Sequence, residues 1–388
     1  SSIVVSHLAE ATPQPVHTFC VGYADSQSYD EREYARLVAD RFGTRHEEVV
    51  LGERDVLDAI PRVLDHMGEP VGDSSIVPTS LVSWAARQFV TVALSGDGGD
   101  ELFGGYWRYL AHRTLETYLR IPALLRRGFI EPLLSMVAIS RSSSIGNRVR
   151  QFHKLTRTSS IDALTRHVAW SRILPDSAAN LFVDPALVDQ CVHSMLDRAV
   201  GGRGSSRAEP VPPLKGDHRG VGQSGVSTSP LTKGGLRGVD PLNAVLRFDL
   251  AHQLPADMLH KVDLASMMHS LEVRVPLLDR AVIEAALPMP SSYKIYRGLR
   301  KRILVDAYRG HLPDEVLDRP KQGFEVPIGE LLRGPLREMF HATVRKETIE
   351  SFGLLSYSAV ESIYSDHENR RADHADLLWA LLSLCWWQ

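Results

Sequence analysis

The first quarter of the chain alternates between short apolar runs rich in β-branched residues and segments with apolar residues at helical spacing. The apolar runs predict strands over 16–23, 46–51 and 89–94. The helical spacing predicts helices between and around them, over 1–11, 30–42, 56–66 and 76–88. Strands that alternate with helices of this length are typical of a parallel sheet covered on both faces. The pattern therefore predicts an α/β fold with a doubly wound parallel sheet, in which 89–94 is a buried strand.

The remainder of the chain has a mainly helical pattern with one interruption. Residues 201–240 are rich in Gly, Ser and Pro, basic, and poor in large apolar side chains, which predicts a disordered or surface insertion. We therefore expect four parts: an α/β nucleotide-binding part over 1–110, a helical region over 111–200, the insertion over 201–240 and a helical C-terminal part over 241–388.

Several aromatic residues are expected in the core rather than at a ligand. Trp170 and Phe182 lie in helical segments where an aromatic side chain most often packs inside. The last predicted helix, over 376–387, is almost wholly apolar. Its tryptophans are expected to close the C-terminal core; they are Trp379, Trp386 and Trp387.

Composition excludes several classes of partner. The 388 residues are 44% hydrophobic and carry a formal net charge of -3, which gives no electrostatic basis for binding nucleic acid or an anionic membrane. Three cysteines lie far apart, so neither a disulfide framework nor a zinc site is expected. The chain has no uninterrupted apolar stretch long enough to cross a bilayer and no secretory signal pattern. We therefore expect a cytoplasmic protein.

The run 94–106, Leu-Ser-Gly-Asp-Gly-Gly-Asp-Glu-Leu-Phe-Gly-Gly-Tyr, comes directly after the third predicted strand. Its glycines allow positive φ and let backbone N–H groups approach a phosphate closely. The carboxylates of Asp97, Asp100 and Glu101 repel phosphate unless a divalent cation lies between them. Ligands of doubly wound sheets bind beyond the carboxyl ends of strands, where this run falls. The run therefore predicts a site for a nucleotide and Mg²⁺; the alternative is an acidic turn without a ligand.

Four segments, in this order and spacing, resemble the synthetase domain of glutamine-dependent asparagine synthetases. They are 94–106, the block 257–279, the segment 298–304 and the Lys-Gln-Gly-Phe run 321–324. The resemblance extends along nearly the whole chain except 201–240. It implies an ATP-pyrophosphatase type of fold, with ATP and Mg²⁺ as cofactors. It also implies substrates: aspartate, ATP, and ammonia derived from glutamine. The aspartate side chain would attack the α-phosphorus of ATP, and ammonia would then displace AMP from β-aspartyl-AMP.

The same resemblance implies roles for the acidic turn and the first predicted strand. Ser95 and Gly96 would contact the nucleotide. Asp97 and Asp100 match the family's catalytic acidic residues near Mg²⁺ and pyrophosphate, and would be the metal ligands. Val21 falls where the family holds adenine through its backbone.

Two lysines match family positions near the phosphates. Lys301 aligns with a catalytic lysine placed over the reacting phosphate and carbonyl; the alternative is a solvated lysine in a basic run at 297–302. Lys321 would contact pyrophosphate; the alternative is a surface lysine.

The segment Glu-Pro-Val-Gly-Asp-Ser-Ser at 69–75 precedes a predicted helix, whose N-terminus favours a carboxylate or phosphate. Glu69, Asp73 and Ser74 are therefore candidates for the pocket of the amino-acid substrate. The alternative is that Asp73 or Ser74 caps the helix.

Three charged residues of the block 257–279 lie in an apolar frame, where charges are expected to pair with one another. They are Glu272, Arg274 and Asp279. We expect them to brace the wall of the site rather than to act in catalysis.

The chain also departs from the family pattern at its start. Its opening matches only the residues that come after the family's first strand and its Ser-Gly-Gly-x-Asp-Ser phosphate loop, and the N-terminal glutaminase domain has no counterpart. We therefore expect a fragment of a longer enzyme, lacking several phosphate hydrogen bonds worth about 1.5–3 kcal/mol each. We also expect an exposed strand edge inside the sheet.

Two other functions remain open at this point. The same synthetase type serves enzymes that amidate other carboxylates, such as cell-surface sugar acids, or that close β-lactams or peptides. The chain could also be a non-catalytic remnant that binds a nucleotide.

Overall fold

A computed structural model describes residues 1–24, 30–130, 161–171, 180–184, 240–319 and 326–388, together with residues 156, 158, 190, 191, 194 and 323. The predicted insertion lies outside the described residues, apart from its last position, 240. The division into four parts therefore stays a prediction.

The described strands form two parallel pairs. Strand β1 (His17–Tyr23) pairs in parallel with β2 (Arg45–Leu51), and the register sets Val21 opposite Val49. Strand β3 (Val92–Leu94) pairs in parallel with β4 (Glu272–Arg274). The prediction of parallel strands alternating with helices is confirmed. The prediction of one doubly wound sheet is not: in the described residues, no backbone ladder joins β1 to β3.

Strand β3 is shorter and more exposed than predicted. Only its last three residues form a ladder, and Phe89, Val92 and Leu94 are 52%, 40% and 37% exposed. The prediction of a buried strand was wrong because, among the described residues, β3 pairs with one strand only, β4. The ring of Phe89 lies instead against Phe19 of β1, with the ring centroids 5.8 Å apart.

The N-terminal helices match the predicted pattern. Helix α2 ends at Gly43, which has φ of 63°, because a left-handed residue closes the last turn. The helices up to residue 125 are α1 (Ser2–Ala11), α2 (Arg32–Phe42), α3 (Glu53–Met67), α4 (Ile76–Arg87), α5 (Gly99–Phe103), α6 (Trp107–Leu119) and α7 (Ala123–Leu125).

The rest of the described chain is helical apart from β4. One π-helical turn comes after α7 at Arg126–Ile130, and another lies at Leu254–Leu259. A 3₁₀ turn lies at Pro276–Leu278. The helices are α8 (Ala163–Ser171), α9 (Pro241–Ala251), α10 (His260–Met267), α11 (Arg280–Ala286), α12 (Ser291–Lys294), α13 (Arg302–Tyr308), α14 (Asp314–Asp318), α15 (Ile328–Arg333), α16 (Arg337–Thr343), α17 (Lys346–Ser351), α18 (Tyr357–Glu368) and α19 (Ala375–Trp387).

The main core joins the first and last parts of the chain. Side chains of α3 and α4 pack with those of α15 and α19, so the C-terminal helix belongs to the same core as the N-terminal α/β part. Trp379 is fully buried, as predicted, and its indole donates to the carbonyl of Val71. Trp387 is 56% exposed, so the prediction for this residue was wrong. The reason is its position in the last turn of α19, where it reaches the carbonyl of Gly68 across the surface.

The other predicted core aromatics lie at the margins. Trp386 and Phe182 are half-buried and pack against the main core. Trp170 is half-buried beside His112 of α6, with ring centroids 4.6 Å apart. No helix among the described residues is long and apolar enough to span a membrane.

Candidate functional site

The acidic glycine run forms the turn that leads from β3 into α5. The backbone N–H of Ser95 donates to the carbonyl of Arg274, which extends the contact with β4 by one residue. The hydroxyl of Ser95 donates to Asp97 Oδ2 over 2.7 Å. Gly98 and Gly104, on either side of α5, have φ of 79° and 72°. The predicted glycine-dependent turn at the carboxyl end of a strand is therefore present.

The structure brings two of the predicted site residues together at this turn. Lys301 Nζ lies 3.0 Å from Asp100 Oδ1, although the two residues are far apart in sequence. The neighbouring Arg300 donates to the carbonyl of Gly105 over 3.0 Å. Lys301 thus forms an ion pair with the acidic turn, with its side chain 31% exposed.

Gly105 leaves room for this ion pair. A Cβ atom at this position would overlap the Asp100 carboxylate and Cε of Lys301. The contact between Asp100 and Lys301 thus depends on a glycine at position 105, because both side chains pass directly beside its Cα atom.

Glu101 faces the interior rather than a ligand. The residue is 2% exposed and accepts a hydrogen bond of 2.8 Å from the hydroxyl of Tyr106. Burial raises the pKa of Glu101 above its ordinary value. The expectation that all three acidic residues of the turn face phosphate or metal is therefore wrong for this one. Helix α5 turns successive side chains to different directions, so Asp100 and Glu101 cannot share a face.

Arg108 links the acidic turn to a second polar region. Its guanidinium lies over the ring of Tyr106, 4.5 Å from the centroid, and donates to Asp249 and to Gln253. Asp249 is fully buried and also accepts from Tyr109 and pairs with His167. Burial alone would raise the pKa of Asp249, but these partners outweigh it and hold the pKa below its ordinary value.

A large cavity opens beside Gln253. Its volume is about 1000 Å³, and the predicted substrate residues Glu69, Asp73 and Ser74 lie together in its wall. Neither Asp100 nor Lys301 lines it. The predicted site residues thus form two groups, one at the acidic turn and one in the cavity.

Lys261 forms hydrogen bonds to residues of the cavity wall and of the adjoining helix start. This buried lysine donates to Asp73 Oδ2 over 2.6 Å and to the hydroxyl of Ser75 over 2.7 Å. Asp73 Oδ1 also accepts from the backbone N–H of Ser75, directly before α4. Burial alone would raise the pKa of Asp73, but Lys261 outweighs it and lowers the pKa below its ordinary value. Asp73 therefore both stabilises the start of the helix and forms part of the cavity.

The cavity carries further acidic groups. Burial, together with the charge of Asp73, raises the pKa of Asp257. Burial, then Asp373 and Asp73, raises the pKa of Asp376. Glu69 forms an ion pair with His260. The wall therefore carries several carboxylates, two of them paired with basic side chains, and Arg333 and His374 lie in the same wall.

Two other predicted site residues, Val21 and Gly96, do not line the cavity. Val21 is 4% exposed in β1, and Gly96 lies against the backbone of Ser1. Lys321 lies outside the described residues. The structure thus brings neither Val21 nor Gly96 into the cavity.

The charged residues of the block 257–279 only partly meet expectation. Arg274 and Glu272 form an ion pair of 2.7 Å, but both side chains are more than half exposed. Asp279 instead accepts from the backbone N–H of Ala281 and caps α11. The expected apolar frame does not enclose them because β4 is exposed at these two positions, so the pair contributes little.

Sequence reasoning missed several residues that position these groups. Arg300, Gly105 and Lys261 each lie within one of the motifs, but the pattern predicts no role of their own for them. For Lys261, a lysine in the apolar segment Met-Leu-His-Lys-Val-Asp-Leu was the available signal. For Arg300 and Gly105 no local signal exists, because their contact joins two distant segments.

The chain is a mixed α/β protein with parallel strand pairs and a helical C-terminal part. An acidic, glycine-rich turn comes after β3, and Lys301 forms an ion pair with it. The Asparagine synthase family model matches residues 1–388, and the chain belongs to this family. The chain is 31% identical over 373 residues to a putative asparagine synthetase [glutamine-hydrolyzing] of Mycobacterium tuberculosis (strain ATCC 25618 / H37Rv), covering 95% of the chain and 50% of that protein.

Two further relatives agree. Asparagine synthetase [glutamine-hydrolyzing] 1 of Bacillus subtilis (strain 168) is 26% identical over 387 residues, covering 100% of the chain and 54% of that protein. A putative asparagine synthetase [glutamine-hydrolyzing] 2 of Methanocaldococcus jannaschii is 42% identical over 127 residues, covering 32% of the chain and 24% of that protein. The chain thus spans about half the length of the first two relatives.

Proposed function

We propose that this chain carries out the ATP-dependent amidation of aspartate, as the synthetase part of an asparagine synthetase. The observation that carries the proposal is the turn after β3, where Asp97 and the Asp100–Lys301 pair lie beside glycines that permit close backbone approach. Family membership over the whole chain supports the same reaction. We further propose that the two strand pairs belong to an ATP-pyrophosphatase type of sheet.

The chemistry explains why the reaction needs ATP. A carboxylate is a poor acceptor for ammonia because its leaving group would be oxide. An oxygen of the aspartate side chain attacks the α-phosphorus, and the bond from that phosphorus to the pyrophosphate oxygen breaks. Ammonia then attacks the carbonyl carbon of β-aspartyl-AMP, the bond from that carbon to the AMP oxygen breaks, and the nitrogen loses a proton to water to leave the amide. Negative charge grows on pyrophosphate in the first step, where Lys301 would stabilise it.

The acidic turn fits a magnesium ion whose coordination would be completed by phosphate oxygens. Asp97 and Asp100 offer carboxylate oxygens, the donors that Mg²⁺ prefers. The described residues contain no cluster of three acidic, histidine or cysteine side chains able to cage an ion alone. This suits Mg²⁺, which usually keeps one or two carboxylates and takes its remaining ligands from substrate and water. When bound, the ion would neutralise charge on the leaving pyrophosphate.

The remaining predicted contacts complete the proposal for the nucleotide. Ser95 and Gly96 would contact its phosphates, Val21 would hold adenine through its backbone, and Lys321 would contact pyrophosphate. The three free cysteines are compatible with a reducing compartment, and we propose a cytoplasmic location.

The cavity would hold the amino-acid substrate. Glu69, Asp73 and Ser74 line it, and its carboxylates would favour the ammonium group of aspartate. The two relatives that match nearly the whole chain are named glutamine-hydrolyzing and are about twice as long as the matched region. We therefore propose a glutaminase domain as the source of ammonia.

The test is exchange of labelled pyrophosphate into ATP, measured with aspartate and without it. Exchange reports adenylation alone and needs no ammonia. We expect aspartate-dependent exchange that falls at least about 100-fold in Asp97→Asn and Asp100→Asn. The matched control Asp318→Asn alters an exposed carboxylate on α14 and should leave exchange unchanged. Aspartate-dependent exchange that survives both substitutions would refute the assignment of the turn.

A second acceptor is favoured by the size of the cavity. About 1000 Å³ exceeds what aspartate needs, which leaves room for a larger carboxylate such as a sugar acid. Exchange measured across a panel of amino acids and sugar acids distinguishes the two. If no acid supports exchange, calorimetry with MgATP decides whether the chain is a nucleotide-binding remnant.

A further inference from the structure

The contact between Lys301 and Asp100 joins the proposed phosphate lysine to a proposed metal ligand. The ammonium lies 3.0 Å from the carboxylate, and the two side chains are 31% and 14% exposed. Asp97 instead accepts from the hydroxyl of Ser95, and no cationic side chain of the described residues lies within ion-pair distance of it. Among the described side chains, Asp100 thus has a cationic partner, and Asp97 has a hydroxyl partner instead.

The backbone around Lys301 is held in an unusual conformation. Arg297 and Lys301 have φ of 49°, and Gly298 between them has φ of 88°. Tyr296 and Leu299 exchange two backbone hydrogen bonds, of 3.0 and 2.9 Å, that close this turn. Residues other than glycine keep positive φ only where their surroundings impose it. The Cα position of Lys301 is therefore fixed, while its four-carbon side chain can still change direction.

Arg300 and Gly105 set the distance between this turn and Asp100. The Arg300 guanidinium donates to the carbonyl of Gly105, which ties the two segments directly beside the ion pair. Gly105 lets both charged side chains pass, since a Cβ there would overlap each of them.

We propose that the Lys301–Asp100 contact is a resting pairing that a divalent cation replaces. Without a ligand, Lys301 neutralises Asp100. A cation that arrives with phosphates takes its place on the carboxylate, and Lys301 turns towards the phosphate. Arg300 and Gly105 are the positioning residues that keep Lys301 within reach of both partners. The inference rests on the proposed function, because it takes a phosphate compound as the ligand.

Elementary electrostatics favours an exchange over a shared contact. An ammonium and a divalent cation on the same carboxylate oxygen would repel each other strongly at such short range. A phosphate oxygen offers the displaced lysine an equally charged partner nearby. The pairing also prevents two bare carboxylates from repelling an incoming triphosphate before the metal is in place.

The first experiment measures the affinity for inorganic pyrophosphate by calorimetry, in EDTA and then in MgCl₂. In EDTA, Asp100→Asn releases Lys301, so pyrophosphate should bind about fivefold more tightly than to Asp97→Asn. Asp97→Asn is the matched control, because it removes the same charge from the same turn and leaves the pairing intact. In a Lys301→Gln background, the two asparagine variants should bind pyrophosphate equally. In MgCl₂, both asparagine variants should bind more weakly than wild type.

The pairing is overturned if Asp100→Asn binds pyrophosphate more tightly than Asp97→Asn even in the Lys301→Gln background. The gain would then come only from reduced repulsion between the carboxylate and pyrophosphate. Equal affinities of the two asparagine variants in the presence of Lys301 overturn it as well. Complete absence of pyrophosphate binding by wild type, with and without magnesium, counts instead against the proposed function.

A second measurement decides the pairing without relying on an affinity for pyrophosphate. Lysines are labelled by reductive ¹³C-methylation, and the Lys301 resonance is assigned with Lys301→Arg. Asp100→Asn should shift this resonance, MgCl₂ together with pyrophosphate should also shift it, and Asp97→Asn should leave it nearly unchanged. A Lys301 resonance that Asp100→Asn does not move excludes the resting pairing. A Lys301 resonance that MgCl₂ and pyrophosphate together do not move excludes the exchange.

Discussion

Replacing Lys261 with methionine tests how the wall of the cavity is held. Methionine keeps much of the length of lysine but removes the ammonium that donates to Asp73 and to Ser75. Asp73 then keeps its hydrogen bond from the backbone N–H of Ser75. The variant therefore leaves a carboxylate at the cavity wall without its counter-ion.

The size of the effect depends on the burial of the two partners. Removing one partner of a fully buried ion pair costs about 3–5 kcal/mol. The lysine side chain is 5% exposed but that of Asp73 is 28% exposed, so water recovers part of the loss. We expect Lys261→Met to lower the free energy of unfolding by about 2–3 kcal/mol. Lys261→Arg keeps the charge and should lose less.

Urea unfolding followed by tryptophan fluorescence measures this loss of stability. The indole of Trp379 donates to the carbonyl of Val71, two residues before Asp73, so it reports the same region. The double variant Asp73→Asn/Lys261→Met also removes the carboxylate that lost its counter-ion. Its free energy of unfolding should be at least about 1 kcal/mol higher than that of Lys261→Met.

The pH dependence separates charge from packing. The pKa of Asp73 is lowered in the folded chain, so its ionised carboxylate contributes to the free energy of unfolding at neutral pH. This contribution is lost as pH falls below about 3.9, the pKa of an aspartate in an unfolded chain, and then through the lower pKa of the folded chain. Without Lys261, burial raises the pKa of Asp73, and the carboxylate is protonated earlier as pH falls. The difference between wild type and Lys261→Met should therefore shrink from pH 7 to pH 4. A difference that stays constant over this range refutes the electrostatic explanation.

Three further substitutions test other parts of the structure. Gly105→Ala should lower aspartate-dependent pyrophosphate exchange by at least about 100-fold, because its methyl group would overlap and displace both Asp100 and Lys301, whereas Gly128→Ala meets open space and should change exchange less than about twofold. Trp379→Ala should lower the free energy of unfolding by about 3–5 kcal/mol, and Trp387→Ala at the exposed end of the same helix by less than about 1 kcal/mol, measured in urea. Arg274→Ala should cost less than about 1 kcal/mol in the same assay, and a larger loss would show that its exposed ion pair is stronger than its exposure implies.

Local pattern was sufficient for most elements of the α/β part. Strands β1 and β2 and helices α1 to α4 lie within a few residues of their predicted bounds. Apolar periodicity and the glycine that ends α2 are properties of consecutive residues, so they can be read without knowing the fold. Strand β4 has only three residues, and its pattern was too short to predict.

The candidate site divides in the same way. The acidic glycine run was recognisable because carboxylates and glycines at close spacing come after an apolar strand. The partners of its residues were not: Glu101 turns inward to Tyr106, and Asp73 meets Lys261 across the core.

By itself, the order of residues determined the chemical character of this protein: parallel strands with helices between them, a polar turn rich in glycine, and membership of one family along the whole chain. Only the tertiary structure decided which charges meet and which strands share a ladder, including the contact of Lys301 with Asp100. The physical reason is range. Helical periodicity and turn chemistry act over a few neighbouring residues, whereas ion pairs and strand pairing depend on how distant segments pack.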